Sequence, residues 1–172
     1  MKRIELKIPV AGEASIEPPK TCLAFRFEHV PDTSAASEEY YRVRREIGLR
    51  LLTPVAAEFR SRGYEIDGPR APKKGFGTTV LKCVGGADTV VLRVCPPDDG
   101  DEWKIRTRAY QVPLSDRPSD LSSYDASAWD DIRSAIERVI TRTEGVGGLY
   151  WISQIEAERR YQAQQKAADK RI

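Results

Sequence analysis

The segment from Thr78 to Val112 limits the possible folds of this chain more than any other, because it reads as three β-strands in series: Thr78 to Val84, Thr89 to Cys95 and Trp103 to Val112. Alternate residues of a strand point to opposite sides. Leu81, Cys83, Val90, Leu92, Val94, Trp103, Ile105, Thr107 and Ala109 make one mostly apolar set. The other set carries Lys82, Arg93, Lys104, Arg106 and Arg108, with Val80, Val84, Val91, Cys95 and Tyr110 between them. One side is expected to be core and the other wet and basic. The Gly85-Gly86-Ala87-Asp88 and Pro96 to Gly100 connections suit hairpins and are too short for a crossover helix, so an antiparallel meander is expected.

The flanking chain supplies more strands and a cover. Lys2 to Ile8 alternates like a half-buried strand, and Thr21 to Val30 does the same through Leu23, Phe25 and Phe27. Pairing of these two strands would widen the meander to about five. Tyr40, Val43, Ile47, Leu51, Val55 and Phe59 recur at helical spacing, and Arg60, Arg62 and Gly63 mark the end of that helix. Pro54 predicts a kink or break between Gly48 and Pro54. Tyr64 to Asp67 reads as a short strand or a return to the sheet, and Gly68 to Gly77 as a basic loop.

Trp129, Ile132, Ala135, Ile136, Val139 and Ile140 predict a second amphipathic helix. Leu149, Ile152 and Ile155 suggest the start of a third, although Leu149 to Ile152 alone also fits a strand. Residues 156–172 read as a polar helical tail that frays or projects. The sum is one α+β domain over residues 1–172: an antiparallel sheet of about five strands with helices packed on one face.

Composition narrows the function classes. With 28 Lys and Arg against 26 Asp and Glu, the net charge of +2 is too mild for a dedicated nucleic-acid domain, so any basic surface must be local. No apolar run approaches the length of a membrane span, and the start lacks the apolar core of an export signal. The three cysteines are odd in number and show no Cys-x-x-Cys spacing, which favours buried thiols in a reducing compartment, the cytoplasm.

Residues able to carry chemistry are few. His29 is the single histidine and has no nucleophile signature beside it. Cys22, Cys83, Cys95 and His29 do not form a zinc set, because their strand parities diverge and tight ligand pairs are missing. The acidic run Asp98, Asp99, Asp101 and Glu102 lacks the spacing of a calcium loop, and Asp130-Asp131 has a local explanation in the dipole of its helix. Lys73, Lys74 and Phe76 sit in a loop that offers amides and ammonium groups to an anion but is not a P-loop.

The strongest candidate is the basic face, with Lys82, Arg93, Lys104, Arg106, Arg108 and Tyr110, extended by Lys73, Lys74 and Phe76. It predicts docking on the acidic surface of another protein, as a small cytoplasmic inhibitor or immunity-type protein would do, without a cofactor, metal or catalytic group. RNA or DNA binding by the same face is the first alternative, although the face offers mainly one aromatic ring for base stacking. An enzyme whose carboxylates include Glu28, Glu65 or Asp67 is the second.

Overall fold

The computed structural model describes residues 20–28, 38–73, 78–85, 88–97, 101–111 and 126–169. The strand expected at Lys2 to Ile8, along with His29, Lys74, Phe76, Asp98 and Asp99, lies outside them. The elements are β1 (Cys22–Phe27), α1 (Glu38–Ser61), β2 (Glu65–Arg70), β3 (Val80–Gly85), β4 (Asp88–Cys95), β5 (Glu102–Gln111), α2 (Ala126–Thr141), β6 (Val146–Ile152) and α3 (Gln154–Asp169). All six strands join one sheet in the order β2-β3-β4-β5-β1-β6, every neighbouring pair being antiparallel. The fold is α+β, and the β3-β4-β5 meander is its centre.

Strand parity sorts the side chains as the sequence implies. Leu23 and Phe25 of β1, Leu81 and Cys83 of β3, Val90 and Leu92 of β4, and Trp103 and Ile105 of β5 are fully buried on one face. They meet Ile47, Leu51, Leu52, Val55 and Phe59 of α1 and Trp129, Ile132 and Ile136 of α2 in a single core. Burial of each large apolar side chain contributes about 1.5–3 kcal/mol, which makes this double-helix cover the main source of stability. Phe27 packs edge-on to Trp103 at 6.0 Å between ring centroids, and Trp129 to Trp151 at 6.2 Å.

Two local readings need correction, and one alternative left open is settled. Helix α1 runs unbroken through Pro54. Pro54 and Arg50, whose carbonyl loses its donor, are both on the exposed side, where water can satisfy that carbonyl. Leu149 to Ile152 belongs to strand β6, and the third helix starts only at Gln154, where the Ser153 hydroxyl accepts a hydrogen bond from the Glu156 amide at 3.1 Å. Asp130 and Asp131 lie beyond the first turn of α2, which begins at Ala126. Asp131 ties three elements together: it accepts from Arg62 Nη1 at 3.0 Å and from the Tyr64 hydroxyl, while Arg62 also donates to Glu58 at 2.9 Å and to Ser134 at 2.7 Å. Burial, then the Asp131 contact, raises the pKa of the Tyr64 phenol.

Helix α3 occupies the second face of the sheet. Its Ala157 is fully buried against Cys22 and Ile152, whose side chains point away from the main core. The C-terminal segment thus begins docked, although Ile155 and Tyr161 are 50% and 42% exposed. Among the described residues no helix is long and apolar enough to cross a membrane.

Candidate anion-binding surface

The second face can be read row by row from the strand register. Val80, Arg93, Arg106, Cys22 and Ile152 form one row across β3, β4, β5, β1 and β6. Lys82, Val91 and Arg108 form the next row on one side. Cys95, Lys104, Ala24 and Tyr150 form the next on the other. The five basic residues expected to share this face therefore do share it. Tyr110 pairs with Thr89 in β5. Lys73 is exposed at the end of the described part of its loop.

Their surroundings differ. Lys104 is buried with its Nζ 3.4 Å from Glu102, and Glu102 also accepts from the Tyr150 hydroxyl. Arg160 of α3 lies 5.3 Å from the centre of the Tyr150 ring, donates to the Tyr150 oxygen at 2.7 Å, and stands 4.0 Å from Glu102. Arg108 lies 3.9 Å from Glu158 of the same helix. Sheet charges near α3 are thus met by protein carboxylates.

Toward β3 the balance changes. Lys82 and Arg93 are exposed and Arg106 half-buried, and none of the three forms an ion pair among the described residues. Arg93 and Arg106 stand directly opposite each other in the β4-β5 ladder. Like charges at such a pair are destabilising, because opposed side chains lie only about 5 Å apart at Cβ. Asp67 is the cross-strand neighbour of Lys82, but its carboxylate is held by Arg70 at 2.5 Å.

A cleft of about 350 Å³ adjoins this sector. It opens where β3 begins at Val80 opposite Arg93, leaving the end of β4 at Cys95 and the following Pro96 without a β3 partner. Tyr40 and Arg44 of α1 form one side, Cys95, Pro96 and Arg106 the floor and far side, and Tyr161 of α3 the rim. Helical spacing of Tyr40, Tyr41 and Arg44 brings the guanidinium to 5.2 Å and 6.0 Å from the two ring centres.

The carboxylates considered for catalysis do not converge. Glu65 and Asp67 are on edge strand β2, whereas Glu28 follows β1 across the sheet and lines a depression of about 460 Å³ with Arg26, Asp101 and Gly145. No group of three or more His, Cys, Asp or Glu residues is arranged to hold a metal ion among the described residues. The sequence reading missed Arg44 and Tyr161, which reach the cleft from helices. Compared with protein-family models, curated proteins and solved structures, the chain shows no significant match.

Proposed function

We propose that this protein is a non-enzymatic binding module that docks on the acidic surface of another protein through the Lys82, Arg93 and Arg106 sector, in the manner of a small cytoplasmic inhibitor. The observation that carries this reading is the Arg93-Arg106 pair, two like charges held opposite each other with no carboxylate paired to either among the described residues. An acidic partner would relieve their repulsion, and complementary charge would speed encounter and select against wrong partners. Cys22, Cys83 and Cys95 are not joined to one another in disulfides, which suits a reducing compartment.

The test compares wild type with Arg93→Glu/Arg106→Glu in capture from host lysate, treated with nuclease, with Arg142→Glu as a control on the exposed α2-β6 connection. Loss of one acidic protein from the folded double variant alone, with capture weakening as salt rises, is the expected result. Equal capture by both would overturn the reading. Capture that disappears on nuclease treatment would reassign the surface to nucleic acid.

A further inference from the structure

Several donors beside the basic sector have no acceptor among the described residues. Beside the cleft lies a recess of about 10 Å³ that shares Arg44, Thr78 and Pro96 with it and is lined also by Arg45, Thr79, Val94 and Trp103. Trp103 is fully buried, and its indole Nε1 has no acceptor among the described residues. The same holds for Arg45 Nη1, although the other terminal nitrogen of that guanidinium donates to Glu38 at 2.9 Å. On the sheet side, Arg106 Nε is likewise buried without an acceptor. None of the described residues lining the cleft or recess is acidic.

A buried donor without a partner costs about 1–3 kcal/mol, so two such donors in the recess and a third in the adjoining cleft are a strong demand for oxygen. The recess has room for about one water-sized atom, and the outer cleft has the size of a small-molecule site. The donors approach from α1, from the core side of β5 and from its opposite side, which suits a tetrahedral group better than a planar carboxylate. Two arginines match a charge near −2, and Tyr161 and Pro96 offer apolar walls to an attached body.

We propose that this notch binds a small phosphomonoester, with one phosphoryl oxygen entering the recess toward Trp103 and Arg45 and the others facing Arg44 and Arg106. The phosphate carries about −1.5 to −2 charge at neutral pH and presents three acceptor oxygens, the complement of the donors found here. This site overlaps the partner-docking sector at Arg106 and is otherwise distinct from it.

The test is titration of the full chain with phenyl phosphate, followed by calorimetry and by the indole N–H resonances of its three tryptophans. The Trp103 resonance, assigned with Trp103→Phe, is expected to move while those of Trp129 and Trp151 stay. Arg106→Gln is expected to weaken binding roughly tenfold or more, the usual loss for one charge-assisted hydrogen bond, and Arg44→Gln to do likewise. Lys82→Glu, outside the notch, separates the two proposals: it should reduce partner capture and leave phenyl phosphate binding unchanged. No movement of the Trp103 resonance at millimolar ligand, equal movement of all three, or unchanged affinity in folded Arg106→Gln would overturn the proposal.

Discussion

Cys22 and Cys83 are sealed on opposite faces of the sheet, one beneath α3 and one in the main core. Burial is the leading cause that pushes both thiols from an ordinary value of 9.0 up to about 12, with Cys95 adding to the effect on Cys22 and Asp131 to that on Cys83. The folded state therefore keeps its protons where the unfolded chain loses them. The resulting stability is complete below pH 9 and lost as pH rises toward 12, each thiol removing about 1.4 kcal/mol per pH unit. Urea unfolding at pH 8 and at pH 10 should show this decline, and Cys83→Ala should flatten the slope even if it lowers stability at both. At this scale parity was legible: alternation alone placed Cys83 with the core and Arg93, Lys104, Arg106 and Arg108 together. The role of Asp131 was not, because Arg62 and Tyr64 precede it by more than sixty residues and only the packing of α1 on α2 brings them together. The donors Arg45 Nη1 and Trp103 Nε1 were invisible for the same reason.

Among the elements, α1 owes its position to a close approach. A Cβ added at Gly48 would stand 2.6 Å from the Cβ of Thr79 and 2.1 Å from its hydroxyl oxygen, so the helix meets the start of β3 where only glycine fits. Alanine normally stabilises a helix interior by about 1 kcal/mol over glycine; here Gly48→Ala is expected to destabilise by about 1–3 kcal/mol, and Thr79→Gly to recover part of that loss. Thermal unfolding of the two single variants and the double variant would measure the coupling. The apolar stripes of α1 and α2 and the meander were readable because their periods are long and clean. Strand β6 was not, since Leu149, Ile152 and Ile155 happen to be spaced by three. Ser153 and Glu156 have the spacing of a helix-capping box and hold the boundary that this spacing obscured.

For the molecule as a whole, the main core does not draw on α3 among the described residues. None of those residues of that helix enters the main cluster, and Ala157 seals only the small satellite with Cys22 and Ile152. A chain ending at Ser153 is therefore expected to keep a cooperative unfolding transition while opening the second face. In a Cys95→Ser background, a thiol reagent should modify Cys22 in the shortened chain, leave it protected in the full chain, and spare Cys83 in both. Loss of cooperative unfolding would show instead that α3 is integral to the core. Composition hinted at this division, since apolar residues thin out after Glu156, but it gave no sign that the tail folds back across the basic face.

The two margins of the sheet are unequal. At β2 the register slips between Asp67 and Arg70, and Pro69 has no amide hydrogen to offer a neighbouring chain. At β6 no described strand lies further out, and Gly147 and Gly148 are exposed. Among the described strands, backbone pairing with another copy is therefore blunted at β2, while β6 carries no such block. If two copies join β6 to β6 about a two-fold axis, both β6 margins are consumed and, of the described strands, only the blunted β2 margins remain. In that arrangement, edge-to-edge association of the described sheet stops at a pair and gives no template for an endless fibre.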